Sequence, residues 1–108
     1  MLDVASDIEY VGGIDNAANL IIKLCEALEP DLCAINALSK HYPVSAVRRL
    51  GYLMERFTDV PGLEQLKSSS EIRNTTTSLL DPQSANIGTV DKRWSLKINR
   101  EVSPDCRV

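Results

Sequence analysis

Trp94-Ser95-Leu96-Lys97-Ile98-Asn99 alternates apolar and polar residues one by one, the two-residue period of a strand with one buried face. Earlier in the chain, Ser45-Ala46-Val47-Arg48-Arg49-Leu50-Gly51-Tyr52-Leu53-Met54-Glu55-Arg56-Phe57 follows a different rhythm. Val47, Leu50, Gly51, Met54 and Phe57 recur at a spacing of 3.6, which predicts a helix with Ser45 as its cap and Pro61-Gly62 as its stop. The change of period between the two stretches decides the fold class. It is α+β, with about four helices followed by a small antiparallel β-hairpin or sheet.

Working outward, Asp15 is placed to cap a helix running to about Leu28, with Ala18, Ile21, Ile22, Cys25 and Leu28 on its core face. Pro30 suits the first turn of a second helix carrying Leu32, Ile35 and Leu38. The Ser45–Phe57 helix is the third, and a short fourth carries Leu63 and Leu66. Ahead of them, Leu2 to Ser6 reads as a linker or a helix stub, and Gly12-Gly13 as a turn. Ser68 to Glu71 has capping-box spacing but reads equally as polar linker. Gly51 inside a helix costs about 1 kcal/mol against alanine, so it marks either the close approach of another backbone or a tolerated surface position. Thr75 to Leu80 is rich in β-branched residues and ends at Asp81-Pro82, the signature of a strand. The stretch Gln83 to Lys92 is too short for a crossover helix, so this strand is expected to pair antiparallel with the one containing Trp94.

With 108 residues, 44% apolar and 25% charged, the chain fits one domain spanning 1–108 and excludes a large multi-part enzyme. Apolar stretches such as Leu20-Ile21-Ile22 are far too short to span a bilayer, and no basic and apolar leader follows Met1. No membrane association and a cytoplasmic, reducing location are therefore expected, where the sequon Asn74-Thr75-Thr76 carries no meaning. Cys25, Cys33 and Cys106 lack C-x-x-C spacing and His41 stands apart, so no metal and no cofactor are expected. Cys25 and Cys33 read as buried small hydrophobes, although Cys33 near a helix start admits a reactive thiolate. The phosphate-loop, dinucleotide, nucleophile-elbow and zinc-protease templates are all missing, and His41 has no nucleophile beside it. No catalytic residue is assigned, and the chain is expected not to be an enzyme.

Net charge is −3, but it is unevenly spread. Residues 1–42 hold seven acids and two bases, a balance of −5, whereas 43–108 hold eight acids and ten bases, a balance of +2. Arg48, Arg49 and Arg56 project from the third helix, and Lys92, Arg93, Lys97 and Arg100 surround the last strand. These form either a basic patch for RNA, DNA phosphate or an acidic protein, or a solvated helix face with Glu55 among its arginines. Trp94 alternates with Leu96 and Ile98 and belongs to the core.

An ordered string runs through nearly the whole chain. It comprises Gly12-Gly13 with Asn16-Ala17-Ala18, Tyr42-Pro43, Arg48-Arg49-Leu50-Gly51-Tyr52-Leu53, Leu80-Asp81-Pro82, Asp91-Lys92-Arg93-Trp94, and Ile98-Asn99 before Ser103-Pro104-Asp105. This string resembles the C-terminal domain of AbiEi-family antitoxins. The resemblance implies a non-enzymatic antitoxin or regulatory domain of a type IV toxin–antitoxin (abortive infection) system, functionally linked to a nucleotidyltransferase-like toxin. The family's N-terminal winged helix has no counterpart in this sequence, which leaves only weak, unspecific nucleic-acid contact. The expected partner-binding residues are Arg48, Arg49, Arg56, Arg93 and Lys97, recognising an anionic partner electrostatically, with Tyr52 as a packing anchor. A homo-oligomer is compatible with this reading. The alternative is a fragment of a nucleic-acid-associated transcriptional regulator.

Overall fold

The computed structural model describes residues 2–27, 31–38, 41–60, 63, 77–92 and 94–102. Four helical segments come first: α1 (Leu2–Ser6), α2 (Ile14–Ala27), α3 (Leu32–Leu38) and α4 (Val44–Phe57). Three short strands follow: β1 (Ser78–Leu79), β2 (Thr89–Asp91) and β3 (Leu96–Ile98). The mixed class, helices before sheet, is as the sequence implies. Helices α2 to α4 correspond to the first three expected, while the Leu2–Ser6 segment is helical. The expected helix after Pro61-Gly62 falls outside the described residues except for Leu63, which is a buried turn residue. Pro30, Ser68 to Glu71 and Thr75-Thr76 also lie outside them.

The helix starts differ from the expected caps. Gly13, at φ 102°, precedes α2, and its carbonyl accepts the Ala17 N–H at 3.0 Å. Asp15 therefore lies inside the first turn, where an acidic side chain complements the positive end of the helix. Asp31 supplies the cap of α3, its carboxylate accepting the Ala34 N–H at 3.2 Å. Pro43 rather than Ser45 precedes α4, which ends at Thr58, whose N–H reaches the Met54 carbonyl at 3.0 Å.

Helix α4 is the axis of the molecule, with α1, α2, β1 and β3 all packed on it. Ala46, Val47, Leu50, Leu53 and Met54 meet Leu2, Ala5 and Ile8 near α1, Ile14, Ala17, Ala18 and Ile21 of α2, and Leu80, Trp94, Leu96 and Val102 from the sheet half. Every residue from Ala46 to Gly51 is buried, so the helix has no solvent face over that stretch. Enclosure of this kind normally selects an apolar circumference. Here two of the enclosed residues are Arg48 and Arg49.

The sheet corrects the expected hairpin. Strand order is β1-β3-β2, with β3 central. β1 runs parallel to β3, pairing Ser78 with Leu96 and Leu79 with Lys97. The antiparallel partner of β3 is β2, pairing Thr89 with Ile98, Val90 with Lys97 and Asp91 with Leu96. The cause is a third strand inside the segment expected to be loop. The chain reverses once after β1 and again after β2, so β3 returns in the direction of β1. The sixteen residues between Leu79 and Leu96 meet the length a parallel connection needs without a helix.

Candidate partner-binding groove

Arg48 and Arg49 do not form an exposed face. They are 0% and 4% exposed. Arg49 donates to three carbonyls on two elements: Nε to Leu80 at 2.7 Å, Nη1 to Ala5 at 2.6 Å and Nη2 to Leu79 at 3.0 Å. The guanidinium thereby closes the C-terminal end of β1 against α1, using donors in the planar fork that only arginine offers. Burial lowers its pKa, and the nearby Asp81 carboxylate opposes that shift. Arg48 points at the same strand, with Nη1 on the Ser78 hydroxyl at 3.0 Å, and burial lowers its pKa too. Both arginines hold the sheet to α4.

Beside them, the Leu80-Asp81-Pro82 turn is fastened by the residues that follow β3, which leave the sheet at the same end as β1. Asn99 accepts the Asp81 N–H at 2.9 Å and donates to the Asp81 carbonyl at 2.8 Å, acting as a short piece of strand backbone. The same amide reaches the Ala85 carbonyl at 3.1 Å. The Asp81 carboxylate is buried and accepts from the Gln83 N–H at 2.9 Å, the Ser84 hydroxyl at 2.7 Å and Arg100 at 3.2 Å. Burial alone would raise the Asp81 pKa, but the Ser84 hydroxyl, the Gln83 N–H and Arg100 outweigh it, and the carboxyl sits below its ordinary value. Arg100 also bonds Asp15 of α2 at 2.6 Å, so one cation joins the turn to the first turn of that helix.

Between this fastened end and the C-terminal half of α4 lies an open groove of about 490 Å³. Tyr52 and Arg56 form one wall, the Ile87-Gly88 turn the other, and Ile98 to Val102 run along it. Gly88 is required there, because its φ is 141° and a Cβ would meet the Ile98 carbonyl carbon at 2.8 Å. Ile87 is 70% exposed. Tyr52 is half-buried, and burial raises its pKa against the opposing effect of Arg56. The phenol is accordingly a neutral donor. Arg56 is exposed, with its guanidinium carbon 5.5 Å from the centre of the Phe57 ring.

Of the six residues expected to bind a partner, the fold brings Tyr52 and Arg56 together at the groove. Arg48 and Arg49 are inside the molecule, and Arg93 lies outside the described residues. Lys97 points from β3 to the opposite side of the sheet, where it donates to Asn86 at 3.0 Å in a hollow of about 260 Å³ beside Leu79 and Val90. Asn99, quoted only in the ordered string, and Arg100, named only among the bases around the last strand, were not expected at the site, because their partners are remote in the chain. Cys25 is half-buried, and burial pushes its thiol pKa up, away from a thiolate. Of Cys33 only the backbone is described, and Cys106 lies outside the described residues. Among the described residues no three His, Cys, Asp or Glu side chains converge, and no helix is long and apolar enough to cross a membrane. No protein-family model matches the chain, and no curated protein or solved structure matches it.

Proposed function

We propose that this chain is a non-enzymatic antitoxin or regulatory domain of the AbiEi type, counteracting a nucleotidyltransferase-like toxin in the cytoplasm, with the wall formed by Tyr52 and Arg56 as its working surface. The reading rests on the sequence string and on one observation about it. Some of the quoted residues are mutual partners: Arg49 of R-R-L-G-Y-L holds the carbonyl of Leu80, Trp94 of D-K-R-W packs on Gly51, and Asn99 of I-N fastens Asp81 of L-D-P.

The test is growth rescue. The genes flanking the coding sequence are searched for a nucleotidyltransferase-like protein, the full chain is co-expressed with it, and growth of the host is followed; flanking genes without one count against the proposal. Rescue by wild type that Arg56→Glu loses, with an unchanged melting temperature, is the expected result. A toxic neighbour whose effect the chain leaves untouched sinks the proposal. Tight binding to one operator at physiological salt replaces it with the regulator reading.

A further inference from the structure

The groove beside α4 offers two polar tips that the rest of the molecule leaves unused. Among the described residues, Arg48, Arg49 and Arg100 each hold named oxygens, whereas Arg56 has no hydrogen bond or ion pair and rests only against the Phe57 ring. The Tyr52 hydroxyl likewise has no hydrogen-bond partner among the described residues. Tyr52 and Arg56 are four residues apart on α4 and therefore lie on one face, one turn from each other. The guanidinium only donates and the neutral phenol can donate as well, so one acceptor set between them can be held by both. Their shared complement is an acceptor with negative charge.

The surroundings restrict what carries that charge. Ile87, Ile98 and Val102 give the groove an apolar lining, with Ile87 standing 70% exposed on the far wall. Glu101 also lines it, and Asp91 is close enough to raise the Tyr52 pKa. A polyanion such as a nucleic-acid backbone would bring further charges against these carboxylates. A single carboxylate next to an aliphatic side chain satisfies both halves of the groove. We infer that the groove takes a partner peptide presenting one Asp or Glu to Arg56 and Tyr52 beside an aliphatic residue that packs on Ile87, Ile98 and Val102. The inference names the partner class for the surface used in the proposed function, and its test uses no toxin.

The experiment is selection of displayed random heptapeptides on the full chain, followed by binding of the best capped peptide by fluorescence polarisation. The expected consensus is one Asp or Glu adjacent to Leu, Ile or Val. Replacing that acid by its amide, or using Arg56→Gln, weakens binding about tenfold or more, Tyr52→Phe weakens it several-fold, and Ile87→Ser removes the aliphatic preference. A twelve-nucleotide single strand does not compete. Peptides enriched without an acid, no enrichment at all, affinity indifferent to Arg56→Gln in a chain of unchanged melting temperature, or competition by the oligonucleotide overturns the inference. Success here with failed growth rescue leaves the groove as a peptide site and removes the antitoxin reading; rescue with failed selection does the reverse.

Discussion

Gly51 of α4 is the seat of the Trp94 ring. A Cβ built at Gly51 would meet three carbons of that ring, the farthest at 2.7 Å. One turn along the helix, Glu55 accepts the indole N–H at 3.3 Å. The glycine thus makes room for the largest fully buried side chain of the molecule, and the carboxylate satisfies its one polar atom. The close approach inferred from a glycine in a helix is real, but a ring rather than a backbone makes it.

Gly51→Ala separates the two readings of that glycine by sign. On a surface helix the change stabilises by about 1 kcal/mol. Here the methyl group must displace the indole from a packed site, and a net loss of about 2 kcal/mol is expected. Urea denaturation measures it. A midpoint equal to or above that of wild type removes Trp94 from its place over α4.

Arg49→Met keeps the bulk of the side chain but leaves the carbonyls of Ala5, Leu79 and Leu80 without their donor. Unsatisfied buried acceptors cost roughly 1–3 kcal/mol each, so a loss of about 3 kcal/mol or more is expected, and Arg49→Lys, lacking the fork, recovers only part of it. Arg48→Glu combined with Arg49→Glu, harmless on an exposed helix face, is expected to abolish folding. Circular dichroism melts of the three variants decide; a double variant that melts near wild type places both arginines outside.

Asp81 sets a pH dependence. Its folded pKa lies below the ordinary carboxylate value, so in acid the unfolded chain takes up the proton first. The contribution is complete above the unfolded pKa of about 3.9 and is lost as pH falls through the folded value. Urea midpoints measured from pH 6 down to pH 2 are expected to fall in that acid window and to fall less steeply in Asp81→Asn. Parallel profiles for the two proteins would assign the acid loss to other carboxylates.

Asn99→Asp tests the fastening of the turn. The variant keeps an acceptor for the Asp81 N–H but loses the donor to the Asp81 and Ala85 carbonyls, and it sets a second carboxylate beside the Asp81 turn. A loss of about 2 kcal/mol is expected, with faster amide exchange concentrated at residues 81–85. Exchange that rises uniformly over the chain would mean that Asn99 acts on global stability only.

Helices α2 and α4 were legible because each repeats apolar residues at helical spacing, and Trp94, Leu96 and Ile98 were legible as an inward row. Burial of Arg48 and Arg49 was not. Their partners are backbone carbonyls, which every residue possesses, so nothing in the sequence marks the carbonyls of Ala5, Leu79 and Leu80 as acceptors. β2 left no alternation either, since Thr89 and Val90 are exposed and Asp91 is only half-buried. Without it, the direction of β1 against β3 could not be derived. At the groove, Tyr52 and Arg56 share a helix face that spacing predicts. The opposite wall is built by Gly88 and by the Asn99–Asp81 fastening, both of which depend on chain reversals after Leu79.

The central strand is the last of the three along the chain. β1 and β2 are not paired with each other, so neither has a strand neighbour until residues 96–98 lie between them. Until then Arg48 has no Ser78 hydroxyl held in place, and Gly51 presents an empty notch where the indole belongs. The sheet is complete only when β3 joins both of its edges. A chain ending at residue 95 lacks the strand that both edges pair with and cannot form the sheet.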